Sequence, residues 1–222
     1  MVSNNQAIID AVKIAISSAR IGTYEAAAGV TAADDLAALQ LYAWNAQVSG
    51  ALLTPLHICE VVIRNTVATV LESVHGSQWP WVPGFERSLP DPRGGYSPRK
   101  DLISARRGKA STGKVIPELK FVFWQKMFTQ RHDARLWVPH LQAVLPNMDA
   151  TKTLTDRREL IYNDLEQLRF LRNRIAHHEP IFTRALADDY SKIVELVRFR
   201  CAVTAAWLEQ NQTAVQVISA RP

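Results

Sequence analysis

The chain has 222 residues, of which 47% are hydrophobic and 21% charged. That is long enough for one sizeable core or two small ones, and its composition excludes wholesale disorder. A formal charge of +5 and a sequence pI of about 9.4 raise the odds of a polyanionic partner without identifying one.

The first apolar stretch, Ala7 to Ile16, is interrupted by Asp10 and Lys13. It predicts an amphipathic helix and no targeting segment. Thr31-Ala-Ala-Asp34 has capping-box spacing and predicts a second helix through Leu36, Leu39 and Tyr42. Pro55 interrupts the apolar run that follows, so a new helix is expected near it, continuing to about His75 and ended by Gly76. Residues 77–100 are rich in Pro, Gly, Trp and Tyr and read as an irregular excursion, the first part of a basic insertion at about 77–116. A short basic helix is expected around Asp101–Lys109. Pro117 suits the first turn of another, through Phe121, Trp124 and Phe128. Further helices are expected at about 133–145, 156–178 and 186–209.

No strand alternation, repeat or low-complexity tract interrupts this pattern, and no run approaches the roughly 20 apolar residues of a membrane span. The expectation is a single all-α domain over residues 1–222, cytoplasmic and without membrane contact. Cys59 and Cys201 lie in apolar helical patterns and predict free buried thiols in a reducing compartment.

The charge surplus is concentrated. Between Arg87 and Lys114 stand eight cations, among them Arg99, Lys100, Arg106, Arg107 and Lys109, against only Asp91 and Asp101. Interleaved with Trp79, Trp81, Phe85 and Tyr96, they could supply phosphate contacts and stacking surfaces for a single RNA strand. A solvated basic loop with its aromatics tucked into the core is an equal reading.

The helix expected at 156–178 carries the chemistry. Asp156 and Glu159 have cap-and-N3 spacing, and Pro180 discourages helix beyond His178. Ile161, Leu165, Leu168 and Ile175 form an apolar stripe with Arg172 in its middle. Asn173 and His177 share a second face, with Arg169 between the two. In the helix Leu56–Val74, Glu60 likewise sits inside the stripe, one turn before Arg64. A buried charge is costly unless paired, so Glu60 and Arg172 are expected to meet, with Arg64 competing for Glu60. Such a pair could simply fix helix register. The adjacent His177-His178-Glu179 side chains diverge, and no second cluster completes a metal site; no metal or other cofactor is expected.

Arg172-Asn173-Arg174-Ile175-Ala176-His177 is similar to the Arg–x(4–6)–His motif of the HEPN superfamily, and more narrowly the chain resembles the Abi-like (abortive infection) proteins. The matching pieces are Tyr42-Ala-Trp44-Asn45, Glu60 to Asn65, Gly113 to Leu119 with Phe123-Trp124, and Leu171 to Phe182, in the family's order. Pro117 departs from the small residue expected in the middle motif. The resemblance implies a helical bundle with a four-helix core, homodimerisation, and metal-independent endoribonuclease activity in phage defence or as a toxin, with a possible cognate inhibitor. Arg172 and His177 would then be the catalytic pair, Asn173 the polar residue beside them, and Glu60 the residue holding Arg172, with Arg64 and Arg169 as further contributors. The alternative, of a different class, is a non-catalytic helical dimer that binds RNA or a partner protein.

Overall fold

A computed structural model describes residues 4–29 and 36–222, and all the regular secondary structure among them is helical. The capping box expected at Thr31–Asp34 lies outside the described residues. Helices α1 (Asn4–Ile16) and α2 (Ser18–Ala28) form a bent pair, turned at Ser17 by a left-handed φ of 84°. The long α3 (Ala37–His75) follows. After it come α4 (Pro83–Ser88), α5 (Pro98–Ala105), α6 (Thr112–Val115), α7 (Phe121–Lys126) and α8 (Val138–Val144). The last four are α9 (Leu154–Ala176), α10 (Leu186–Arg200), α11 (Ala202–Gln210) and α12 (Ala214–Ser219).

α3 is the axis of the molecule. It buries Leu41, Val48, Leu52, Leu56, Cys59, Ile63 and Val67 along one side and packs against α2, α9, α10 and α12. The break expected at Pro55 does not occur. Proline removes one backbone hydrogen bond and crowds the preceding turn, at roughly 3 kcal/mol. Here the ring is itself buried, and the apolar face on both sides of it is continuous, so packing offsets that cost. Unbroken, α3 is long and apolar enough to cross a membrane by length and composition, which the reading of two shorter helices concealed.

The other helices shift less. α9 starts at Leu154 because Thr153, not Asp156, is the cap: its hydroxyl accepts from the Asp156 amide at 3.1 Å. The helix expected over 186–209 is divided at Cys201, whose backbone is extended. The carbonyls of Arg198 and Phe199 at the end of α10 are taken by Asn147, at 2.8 and 3.2 Å. The stretch 133–145 opens with one wide π-type turn at Asp133–Trp137 before α8. Cys59 is buried as expected, Cys201 is half-exposed, and both are free.

The basic insertion is not an excursion from the core. Trp79, Phe85, Leu89, Leu102, Val115 and Leu119 are all buried in it, and the Trp79 ring lies edge-on to Phe85 and Trp124, with centroids 5.6 and 6.4 Å apart.

Candidate functional site at the end of helix α9

α9 buries Arg158, Ile161, Asp164, Leu165, Leu168, Leu171 and Ile175. Over its last two turns the inward side runs through Leu168, Leu171 and Ile175, steps of three and four residues along one face. Leu171 therefore takes the inward position in the penultimate turn. Arg172, one step round the helix, is exposed and has no hydrogen bond or ion pair among the described residues.

The expected Glu60–Arg172 pair is thus absent. Glu60 accepts from Arg64, one turn along α3, with both side chains largely shielded at 15% and 20% exposure. The i,i+4 competitor wins because it needs no second helix, and because Arg172 is rotated away from the inward side. Arg64 keeps its Nε buried and unpartnered. Arg169 is held elsewhere: its Nε donates to Oε1 of the fully buried Gln125 at 2.9 Å, and its guanidinium lies 4.6 Å over the Phe170 ring. Neither Arg64 nor Arg169 positions Arg172.

α9 ends in a Schellman turn. The Glu179 amide donates to the Arg174 carbonyl at 2.8 Å and the His178 amide to the Ile175 carbonyl at 3.0 Å. His177 is the C-cap, its amide bonded to the Asn173 carbonyl at 2.9 Å, and its exposed imidazole has no partner among the described residues. The Asn173 side chain is half-buried and likewise unpartnered. His178 carries the turn at φ 55°, a left-handed conformation that costs a non-glycine residue roughly 1–2 kcal/mol.

Three contacts hold this strained turn. Arg174 donates to the Pro180 carbonyl at 3.0 and 2.8 Å. The Ile181 amide donates to Oδ1 of Asn45 at 2.7 Å. Arg20 of α2 donates to the His178 carbonyl. Two pieces of the resemblance, Tyr42–Asn45 and Leu171–Phe182, are therefore brought together, although 136 residues separate Asn45 from Ile181. Sequence reasoning missed Arg20 and the α2 helix that bears it, as well as Gln125. The i,i+3 pair Ile21 and Tyr24, both buried, was the available signal.

A cleft of about 540 Å³ lies beneath the turn, bordered by Arg20, Tyr24, Tyr42, Asn45, Ile175 and His178. The Tyr24 ring meets Tyr42 edge-on at 5.0 Å and Phe182 at 5.1 Å.

The five basic residues of the insertion divide in two. The Arg99 guanidinium is spent on the carbonyls of Glu86, Arg87 and Leu89, at 3.1, 2.7 and 2.8 Å. Arg106 binds the Pro80 carbonyl at 2.6 Å and the Glu86 carboxylate, and Lys109 pairs with Glu118. Lys100 reaches Asp91 at 3.3 Å from an exposed position, and Arg107 is exposed without a partner among the described residues. Trp79 and Phe85 are buried, and the Tyr96 hydroxyl donates to Asp101 at 2.6 Å. For Arg99, Arg106, Trp79 and Phe85 the core-packing reading holds: they staple the insertion to the protein.

No family model, curated protein or solved structure matches this chain.

Proposed function

We propose that the protein is an endoribonuclease that cuts RNA without a metal ion, using Arg172 and His177, and that it works as a homodimer in the cytoplasm. The observation that carries the reading is the state of those two side chains. A cation and an imidazole stand five residues apart at the C-terminal end of α9, both exposed and neither engaged by another described residue. Exposed polar groups with no structural partner are available for a ligand.

In such a cut the substrate's 2′-oxygen forms a bond to the adjacent phosphorus while the bond to the 5′-oxygen breaks. One imidazole takes the 2′ proton, and a protonated imidazole gives a proton to the departing 5′-oxygen. Histidine suits both tasks near neutral pH. The permanently charged, forked guanidinium of Arg172 suits the charge that builds on the non-bridging oxygens, with Asn173 beside it. Side chains five apart on a helix point about 140° from one another. A two-fold pairing of the ends of α9 would supply Arg172 and the two imidazoles to one cleft.

The apolar surface near the site fits that pairing. Leu53 and Val61 on α3 and Phe170 on α9 are exposed at 48%, 38% and 48%, with Leu53, His57, Val61 and Asn65 following one another at i+4 along one row. The same surface favours the second reading, a non-catalytic dimer that binds RNA or a partner protein. The resemblance to Abi-like proteins suggests phage defence or a toxin role with a cognate inhibitor. Mass spectrometry of the products separates the two readings: the nuclease leaves 2′,3′-cyclic phosphate ends in excess chelator, and the binding module leaves RNA intact.

A further inference from the structure

Asn45 is 5% exposed, and the two hydrogen-bonding ends of its amide have different fates. Its Oδ1 accepts the Ile181 amide at 2.7 Å, which fixes which way the amide faces. Its Nδ2, with two donor hydrogens, has no partner among the described residues, and Asn45 borders the cleft beneath the α9 turn. That nitrogen is not sealed from solvent, so both donor hydrogens are open to an acceptor that enters the cleft. Tyr24, 1% exposed and bordering the same cleft, also has a hydroxyl without a partner among the described residues.

The walls suit a flat ring. Tyr42 is half-buried, met edge-on by Tyr24, and borders the cleft, as does Arg20, which has one guanidinium nitrogen on the His178 carbonyl. At about 540 Å³ the cleft is in the range of small-molecule sites. It also adjoins the proposed catalytic residues, because Ile175 and His178 flank His177 in the chain and both border it.

We propose that this cleft is a nucleobase subsite in which Asn45 selects a base carrying a keto oxygen, guanine or uracil, over adenine or cytosine. The subsite rests on the endoribonuclease reading for its purpose. The two Nδ2 hydrogens donate to O6 of guanine or O4 of uracil. Adenine and cytosine place an amino group at the corresponding position, where donor would face donor. Tyr42 stacks on the ring, and Arg20 meets the phosphate at the rim. Recognition of an unstacked base by an aromatic face plus an amide edge is a common mode for single-stranded RNA.

The test titrates the 3′-monophosphates of guanosine, uridine, adenosine and cytidine into the full chain by calorimetry. Guanosine and uridine monophosphates should bind about tenfold more tightly than the other two, the range of one specific base contact. Asn45→Asp keeps the acceptor for the Ile181 amide but replaces the donors, and should reverse the preference. Ala46→Trp, at an exposed position on the cleft wall, should abolish binding of all four without disturbing any of these hydrogen bonds. Thermal unfolding of both variants checks that the fold survives. Equal binding of the four nucleotides, no binding, or a ranking unmoved by Asn45→Asp with Ala46→Trp still binding would overturn the subsite. Base-selective binding in a protein that never cuts RNA would keep the subsite and remove the nuclease. Cleavage whose site preference survives Asn45→Asp would do the reverse.

Discussion

The Arg20 guanidinium donates to the carbonyl oxygen of His178, the left-handed residue that closes α9. One helix of the N-terminal pair is thereby tied to the residue next to His177. The strain at His178 and the bond that holds it make opposite demands, and each can be measured. Arg20→Ala should destabilise the fold by about 1 kcal/mol, the usual worth of such a bond. For a chain of this size that lowers Tm by roughly 2–4 °C. His178→Gly should stabilise by up to about 1 kcal/mol, because glycine adopts positive φ without the steric penalty. Thermal unfolding by circular dichroism reads both, and a loss of stability in His178→Gly would mean the imidazole makes a contact that outweighs its strain.

The division of the basic residues gives a second prediction. Arg99→Ala removes hydrogen bonds to three carbonyls at once and should cost about 1.5–3 kcal/mol, since each such bond is worth about 0.5–1.5 kcal/mol. Arg107→Glu, exposed and unpartnered, should leave stability within about 0.5 kcal/mol. If RNA crosses this face, Arg107→Glu should flatten the salt dependence of binding by about one unit of slope. An unchanged slope would confine RNA to the α9 end.

Two buried groups predict opposite responses to pH. Burial, reinforced by Arg131 and His75, lowers the His132 imidazole to about 4, and its Nε2 is buried without a partner. The unfolded chain binds this proton near pH 6.5 and the folded chain near 4, so stability falls as pH drops through that window, by roughly 3 kcal/mol in full. His132→Phe should flatten that part of the stability–pH curve. Asp164 is 9% exposed with no hydrogen bond or ion pair among the described residues, and burial raises its carboxyl. A raised carboxyl contributes stability at low pH that is lost as pH rises through its folded value. Asp164→Asn should therefore raise Tm at pH 7 and leave it unchanged at pH 3. A fall in Tm at pH 7 would show that the carboxylate has a partner it needs.

The all-helical class and the end of α9 were legible because they rest on local signals, apolar periodicity and the proline at 180. The expected start of α9 falls two residues late because Asp156, which bonds the true cap at Thr153, itself reads as the cap. The rotation of Arg172 was not legible, because positions 171 and 172 both fit an ideal helical stripe. Only packing against neighbouring helices distinguishes an inward side through Leu171 from one through Arg172. Pro55 misled for a related reason: its local cost is real, and the apolar face that overrides it is visible only in three dimensions. The stapling role of Arg99 and Arg106 was hidden because a guanidinium bound to carbonyls and one waiting for phosphate are the same letter. The meeting of Asn45 with Ile181 joins segments far apart in the chain, and no periodicity encodes it.

The most direct measurement of the central claim is cleavage of a mixed RNA pool by the purified protein in excess EDTA, beside Arg172→Ala and His177→Ala. Neither residue has an intramolecular partner among the described residues, so both variants should fold with Tm within about 1–2 °C of the parent, as exposed substitutions do. Each should lose at least about a hundredfold in rate, the scale of general acid–base and electrostatic contributions. Full cleavage by either variant, or a parent protein that leaves RNA intact under these conditions, would contradict the assignment of Arg172 and His177 as a catalytic pair.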